Sequence, residues 1–225
     1  MRPPPEAPLH PVWSAPRPDD ARSRERQRTV LFDLGGVVCQ FSHQRRLAAL
    51  ARASRLSVED VHQRLFVSGF DLDCDRGQYS LEQQCARICA RLDVSCGQRA
   101  LAALWAQAFA PDADVLAMVS RVRARAVTAL LTNNGPLVHL MLRELFPEVA
   151  AVFDHLCFSY QVKATKPEPR AFLGTLERLG ASPAQSVFID DAEQNVDGAR
   201  AVGIDAIQFV SAELLARALH ERQLT

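Results

Sequence analysis

Short apolar runs recur along most of this chain, and they limit the folds open to it more than any other feature. The runs occupy residues 29–32, 127–131, 156–158, 187–189 and 206–210. Continuous apolar runs of this length are typical of strands covered on both faces, as in a parallel sheet. Because helical patterns separate the later runs, the sequence predicts an α/β fold with a doubly wound, Rossmann-like parallel sheet.

Two serines mark predicted helix starts in the second half of the chain. Ser182 is followed by Pro183 and Gln185, which supply a first-turn proline and a capping-box partner. Ser211 stands in the same way before the amphipathic segment 214–219. The sequence therefore predicts that a helix begins after each serine.

A helical insertion is predicted between the first two strands. From about residue 45 to residue 112 the sequence contains no convincing strand, but it has several helical patterns with capping boxes at 57–60 and 80–83. We therefore expect residues 45–112 to form a helical cap on an α/β core made of residues 29–44 and 113–225.

Residues 1–28 differ in composition from everything that follows. They hold seven of the thirteen prolines and six arginines, with few large apolar side chains. Such a segment buries too little apolar surface to offset the entropy lost on ordering. We predict a disordered N-terminal tail.

The charge and cysteine content limit which binding partners and which cellular compartment the sequence predicts. The chain has 26 basic and 26 acidic residues, so its net charge gives no electrostatic reason to bind nucleic acid or an anionic membrane. No apolar run approaches the roughly 20 residues needed to span a bilayer. Six cysteines without a secretory segment favour a reduced, cytoplasmic protein. The oligomeric state is left open.

Polar residues stand where three of the predicted strands end. Asp33 follows the first run, Thr132 and Asn133 follow the second, and Asp190 and Asp191 follow the fourth. In open parallel sheets the ligand site lies beyond the carboxyl ends of the strands. These side chains are therefore expected to converge on one site.

The residue types at these positions suit phosphate chemistry. Carboxylates such as Asp33 and Asp191 are hard oxygen ligands appropriate to Mg²⁺. The Thr132 hydroxyl, the backbone amides beside it and the Lys166 ammonium are donors matched to phosphate oxygens. Asp33 is also a candidate nucleophile, since aspartate carboxylates form aspartyl-phosphate intermediates.

Four motifs in this order resemble those of the haloacid dehalogenase (HAD) superfamily, in particular its phosphatases with a helical cap. They are Asp33 to Val37 after a strand, Leu131 to Asn133, Lys166-Pro167, and Asp190-Asp191 followed by Asn195 and Gly198. The long spacing between the first two motifs accommodates that family's cap. The resemblance covers the chain from Thr29 to its C-terminus.

The resemblance implies a role for each motif residue. Asp33 and Lys166 would be catalytic, Asp33 as nucleophile, while Thr132, Asn133 and Lys166 would bind phosphate. The metal site would comprise Asp33, Asp191, the backbone carbonyl of Gly35 and, in support, Asp190. The implied activity is Mg²⁺-dependent hydrolysis of a phosphomonoester of a small metabolite, such as a sugar phosphate, through an aspartyl-phosphate. A metal-independent dehalogenase is the alternative within the superfamily.

Gly35 departs from the family's usual pattern, which has a second aspartate at this position as acid and base. A sub-branch reads Asp-x-Gly and includes enzymes acting on sugar phosphates. Without that acid, either the leaving group needs little protonation, as in an anomeric or aryl phosphate, or the cap supplies the proton. A weakly active member that binds phosphate or a partner is a third possibility.

Two other clusters imitate metal sites. Asp71, Asp73, Asp75 and Glu82 have the spacing of calcium-loop ligands, but Arg76 replaces the glycine that the sharp turn requires. Cys85 and Cys89 share a helix face without a second cysteine pair of zinc-site spacing. We interpret the acidic segment as part of the cap and the two thiols as packing groups.

Overall fold

The computed structural model describes residues 28–225, and the expectation of a disordered tail falls, apart from Arg28, on residues outside that range. The strands of the described part are β1 (Thr29–Phe32), β2 (Cys39–Phe41), β3 (Phe109–Pro111), β4 (Val127–Thr132), β5 (His155–Phe158), β6 (Ser186–Asp190) and β7 (Asp205–Gln208). Five of them form a parallel sheet in the order β5-β4-β1-β6-β7. Each apolar run contributes one of these five strands, which confirms the predicted Rossmann-like sheet.

Helices fill the intervals between these strands. They are α1 (His43–Ser54), α2 (Val58–His62), α3 (Phe70–Asp75), α4 (Leu81–Leu92), α5 (Gln98–Ala106), α6 (Ala113–Arg123), α7 (Pro136–Leu145), α8 (Pro147–Ala151), α9 (Ser159–Val162), α10 (Pro169–Leu179), α11 (Glu193–Ala201) and α12 (Ala212–Glu221). A π-helical turn spans Gln63–Val67, and a 3₁₀ turn spans Pro183–Gln185. Among the described residues, no helix is both long enough and apolar enough to cross a bilayer.

The sheet is covered on both faces, as a doubly wound fold requires. Successive strand side chains point to opposite faces, so Val30 and Phe32 of β1 join one apolar cluster and Leu31 joins another. Helices α6, α7 and α12 pack on the Phe32 side, whereas α10 and α11 pack on the Leu31 side. This burial on both faces explains why β1 is continuously apolar in sequence.

Helices α1 to α5, which we call the helical segment (His43–Ala106), lie between β2 and β3 in the chain. β2 and β3 pair antiparallel, with Cys39 opposite Pro111 and Phe41 opposite Phe109. The chain thus enters and leaves the helical segment through a two-stranded ribbon. The expectation that residues 45–112 contain no strand is wrong at β3, because its partner β2 lies far earlier in the sequence.

The predicted helix starts have different outcomes. The Ser211 side chain accepts a hydrogen bond from the Leu214 amide at the start of α12, as expected, and Ser80 with Gln83 forms a complete capping box on α4. The helix predicted after Ser182 is wrong, because only a 3₁₀ turn forms there. Strand β6 begins at Ser186 and pairs with β1, which leaves no room for a longer helix.

Candidate active site

The position of β1 in the sheet brings the polar strand ends together. β1 lies between β4 and β6, with Phe32 opposite Leu130 on one side and Ile189 on the other. The Asp33 amide donates a hydrogen bond to the Ile189 carbonyl at 2.9 Å, which extends this pairing by one residue. Thr132 and Asp190 end the two flanking strands, so all three side chains reach the same edge of the sheet.

Lys166 lies at the centre of these strand ends. Its Nζ is 2.9 Å from Asp33 Oδ1 and 2.6 Å from Asp190 Oδ2, and it donates to the Leu131 carbonyl at 3.0 Å. The lysine side chain is only 1% exposed. One buried ammonium therefore joins two carboxylates from neighbouring strands and is held by three oxygen atoms.

The Asn133 side chain holds the loop that carries Lys166. Asn133 Nδ2 donates to the Lys166 carbonyl, and Asn133 Oδ1 accepts from the Lys166 amide, each at 2.8 Å. Both polar atoms of the side chain are thus engaged with the lysine backbone. Asn133 was expected among the phosphate binders, whereas this geometry gives its side chain a positioning contact.

Asp190 and Asp191 are adjacent in sequence but have different surroundings. Asp190 is fully buried, and its Oδ1 accepts from the Ala192 amide at 2.9 Å and from Asn195 Nδ2 at 3.0 Å. Asp191 is exposed. Protein donors therefore fix the Asp190 carboxylate, while the Asp191 carboxylate faces the solvent side of the site.

Three carboxylates meet here and fit a divalent cation. Oxygen atoms of Asp33, Asp190 and Asp191 all lie within 4.8 Å of one another, and within residues 28–225 only Lys166 forms an ion pair with any of them. Burial raises the pKa of Asp33 to about 6, although Lys166 opposes the increase. Partial desolvation of the Asp191 carboxylate, followed by the Asp190 charge, also raises the pKa of Asp191. A hard cation would offset this excess negative charge, so the donor set suits Mg²⁺.

The two glycines after Asp33 differ in what they require. Gly36 has φ of +89°, and a Cβ there would overlap the Asp191 carboxylate, so this turn needs glycine. Gly35 lies outside the left-handed region, and a Cβ there would meet Phe41 at an ordinary 3.4 Å. Position 35 therefore accommodates a Cβ atom, even though the residue carries none.

Residues of the helical segment line the same cavity as the strand ends. The cavity has a volume of about 180 Å³. Its charged lining comprises Asp33, Arg46, Asp71, Asp75 and Lys166. No role was expected for Arg46, and the two α3 carboxylates were considered as calcium-loop ligands but interpreted as part of the cap. Their spacing of four residues, which puts both on one helix face, was the available signal.

Arg46 is buried among aromatic rings at the base of the helical segment. It is 6% exposed, and its guanidinium carbon lies 4.7 Å from the Phe66 ring centroid and 5.3 Å from that of Trp105. Its Nη2 donates to His43 Nδ1 at 3.0 Å. Its Nε has no hydrogen-bond partner among the described residues. The arginine thus presents a buried, incompletely paired cation beside the cavity.

A larger cavity, of about 410 Å³, lies at the other end of the sheet. Its lining includes Thr29, Val127 and His155, which are the first residues of β1, β4 and β5. Because the polar strand ends lie at the opposite edge, this cavity has no part in the site described above.

The chain is similar to known hydrolases in both sequence and fold. A model of the haloacid dehalogenase-like hydrolase family matches residues 27–203. Phosphatase MT3486 of Mycobacterium tuberculosis is 30% identical over 185 residues, which cover 79% of this chain and 84% of the relative. Fructose-1-phosphate phosphatase YqaB of Escherichia coli is 42% identical over 71 residues, which cover 32% of this chain and 34% of the relative.

A solved structure with the same fold is that of the HAD family enzyme bt-2542 from Bacteroides thetaiotaomicron, in complex with magnesium and inorganic phosphate. It superimposes with a TM-score of 0.70 at 23% identity, covering 81% of this chain and 93% of the enzyme.

Proposed function

This protein belongs to the haloacid dehalogenase-like hydrolase family, as a phosphatase, and we propose that it hydrolyses the phosphomonoester of a small sugar or sugar-like metabolite. The proposed reaction depends on Mg²⁺ and passes through an aspartyl-phosphate on Asp33. The observation that carries this proposal is the buried Lys166 ammonium, which contacts Asp33 and Asp190 at the carboxyl ends of two adjacent strands.

Each polar group has a proposed role. The Asp33 carboxylate attacks phosphorus, and Lys166 keeps the nucleophile oriented and offsets the negative charge of the phosphoryl oxygens. The Thr132 hydroxyl and the amides beside it donate to those oxygens, and Asn133 positions Lys166. Asp190 fixes the other side of the lysine.

Magnesium would be held by the carboxylates of Asp33 and Asp191 and the carbonyl of Gly35, with Asp190 in support. When bound, it supplies positive charge that polarises the phosphoryl group toward in-line attack. The match in fold to an enzyme crystallised with magnesium and inorganic phosphate supports this assignment.

A compact, hydroxylated leaving group suits the remainder of the cavity. Its volume of about 180 Å³ favours a small metabolite. Asp71 and Asp75 accept hydrogen bonds of the kind that sugar hydroxyls donate, and Arg46 offers donors beside them. We propose that residues 45–112 act as the cap that recognises the leaving group of the substrate. The name of the relative YqaB, a fructose-1-phosphate phosphatase, agrees with this substrate class.

One assay distinguishes the proposed phosphatase from its two alternatives. We expect the purified protein to release p-nitrophenol from p-nitrophenyl phosphate with Mg²⁺, to lose this activity in EDTA, and to release no halide from chloroacetate. Halide release that does not need a metal would support the dehalogenase instead. Stoichiometric phosphate binding without turnover would support a binding protein.

A second measurement tests the substrate class. Under the same conditions, sugar phosphates such as fructose 1-phosphate should give higher kcat/KM values than p-nitrophenyl phosphate, because only they engage the polar groups of the helical segment. Equal or lower values across a panel of sugar phosphates would contradict this part of the proposal.

A further inference from the structure

The cavity contains carboxyl groups that the proposed mechanism does not yet use. An alkyl ester needs a proton on its leaving oxygen as the bond to phosphorus breaks, and residue 35 has no side chain to give one. Asp33 is committed as nucleophile, and Asp190 is held by protein donors. The carboxyl groups that remain on the described lining are those of Asp71 and Asp75.

Both carboxyl groups reach the cavity from one face of α3. Residues four apart lie one above the other on a helix, so Asp71 and Asp75 face the same side. Asp73, between them in sequence, is exposed. The helix thus presents a pair of carboxyl groups to the cavity and a third to solvent.

The C-terminal end of α3 is fixed against the α/β core at the strand ends. Ser159, which follows β5, donates from its hydroxyl to the Asp75 carbonyl at 2.7 Å. The Asp75 carboxyl accepts from the Gly135 amide. A Cβ on Gly135 would lie 3.1 Å from Cys74 Cβ, so the helix approaches the core closely at this point. Asp75 is therefore anchored to the core through both its backbone and its side chain.

We propose that Asp75 is the general acid and base of the reaction, supplied by the helical segment in place of the side chain that residue 35 lacks. This inference rests on the proposed phosphatase function. Asp71 and Arg46 then serve as positioning residues, because they set the electrostatic surroundings of Asp75.

The proposed steps keep protons and electrons in balance. An Asp33 carboxylate oxygen bonds to phosphorus, and the bond from phosphorus to the leaving oxygen breaks with its electron pair on that oxygen. The protonated Asp75 carboxyl gives its proton to this oxygen, which departs as an alcohol. Water then attacks the aspartyl-phosphate, Asp75 takes the proton from that water, and inorganic phosphate leaves with Asp33 and Asp75 restored.

The electrostatic surroundings favour a protonated Asp75. Burial, followed by the Asp71 charge, raises the pKa of Asp75 well above its usual range, and Arg46 opposes this only in part. Burial likewise raises the pKa of Asp71. The other charged groups on the cavity wall are Asp33 and Lys166. A raised pKa increases the protonated fraction of the Asp75 carboxyl group, which is the form that a general acid requires.

The test compares Asp75→Asn with Asp73→Asn, an exposed aspartate on the same helix, in single-turnover and burst experiments with Mg²⁺. For glycerol 1-phosphate, whose leaving group is a poor one, Asp75→Asn should slow phosphorylation of Asp33 by at least about 100-fold. For p-nitrophenyl phosphate, whose leaving group needs no proton, the burst of p-nitrophenol should keep its rate within about threefold. Asp73→Asn should change neither.

Two further variants keep the result independent of folding effects. Adding Gly35→Asp to Asp75→Asn should restore phosphorylation by glycerol 1-phosphate, since position 35 accommodates a Cβ and would again carry a carboxyl group. Asp71→Asn should shift the alkaline limb of the kcat/KM profile for glycerol 1-phosphate to lower pH, because it removes a neighbouring negative charge.

Equal slowing of both esters by Asp75→Asn, or no rescue by Gly35→Asp in a folded double variant, would overturn the proposed role of Asp75. The proposed role would also be overturned if the wild type cleaves p-nitrophenyl phosphate and Asp75→Asn phosphorylates Asp33 from glycerol 1-phosphate at the wild-type rate. Absence of any Mg²⁺-dependent hydrolysis of either ester by the wild type would instead refute the proposed phosphatase, and the role of Asp75 with it.

Discussion

At the scale of single residues, Lys166 and Asp33 set the electrostatic character of the site. The lysine side chain is 1% exposed and that of Asp33 is 13% exposed. Charges this well buried are favourable only together, because each loses its hydration and is compensated by attraction to the others. Removing either charge should therefore lower the free energy of unfolding more than a substitution at the surface does.

We expect Asp33→Asn to abolish turnover and to leave the fold intact. The amide has nearly the shape of the carboxylate but cannot form the aspartyl-phosphate. The measurement is kcat on p-nitrophenyl phosphate together with the thermal midpoint of unfolding. A folded variant that keeps more than about a tenth of the wild-type kcat would reject covalent catalysis by this residue.

Lys166→Met tests the buried charge set directly, and the chain offers Lys163→Met as a matched control because Lys163 is exposed. Measured by urea unfolding in EDTA, Lys166→Met should lower the free energy of unfolding by about 3–5 kcal/mol, since it leaves Asp33 and Asp190 without their cation. Lys163→Met should change it by less than about 0.5 kcal/mol. Similar losses in both variants would contradict the assigned role of Lys166.

At the scale of elements, the contact between α3 and the core determines whether the helical segment closes over the strand ends. Arg76 pairs with Glu168 at 2.9 Å, but both side chains are nearly half exposed, so this ion pair contributes little. The close backbone approach at Gly77 constrains the docking geometry, because a Cβ there would overlap the Tyr160 carbonyl. The fit therefore depends on a residue without a side chain.

Gly77→Ala and Gly69→Ala separate the cost of backbone strain from the cost of this contact. Both glycines have positive φ, +71° and +79°, but a Cβ on Gly69 meets nothing within 4 Å. We expect Gly69→Ala to lower the free energy of unfolding by about 1 kcal/mol, through strain alone. Gly77→Ala should cost more and should also raise KM for sugar phosphates. Equal stability losses and unchanged KM values would show that the Tyr160 contact does not hold the helical segment.

At the scale of the whole molecule, acid should weaken the fold through buried histidine. His139 on α7 is 7% exposed, stacks on Phe158 with ring centroids 4.5 Å apart, and hydrogen-bonds Tyr160 through Nδ1. Burial, with a smaller effect of Arg143, lowers the pKa of His139 to about 4. The folded state therefore keeps this ring neutral at a pH where the unfolded chain binds a proton.

This difference fixes the direction of the pH dependence. Below the unfolded pKa of 6.5 the unfolded chain gains a proton that the folded protein takes up only near pH 4. The stabilisation is thus complete above pH 6.5 and declines as pH falls, by about 3 kcal/mol from this group. We expect His139→Phe to flatten the decline between pH 6.5 and 4 in chemical-denaturation profiles. His220→Gln, at an exposed site, should leave the profile unchanged. A decline in His139→Phe as steep as that of the wild type would contradict the assignment.

The sheet and the place of the strand-end site follow from local features of the sequence. Strands covered on both faces must be apolar along their whole length, so β1, β4 and β6 were visible as local runs. Parallel strands share one carboxyl edge, so Asp33 and Asp190 were expected to meet, as they do. The chemical roles of these residues, and the division into cap and core, stay predictions.

Which side chains face that edge depends on tertiary packing. β3 forms because β2 pairs with it, and the turn after Ser182 stays short because β6 pairs with β1. Arg46 and Asp75 meet the strand ends because the helical segment is docked on the core. Side-chain burial leaves a periodic local pattern in a sequence, whereas contacts between segments far apart in the chain depend on how those segments pack. The spacing of Asp71 and Asp75 therefore indicates a shared helix face, but no local pattern indicates which strand ends that face meets.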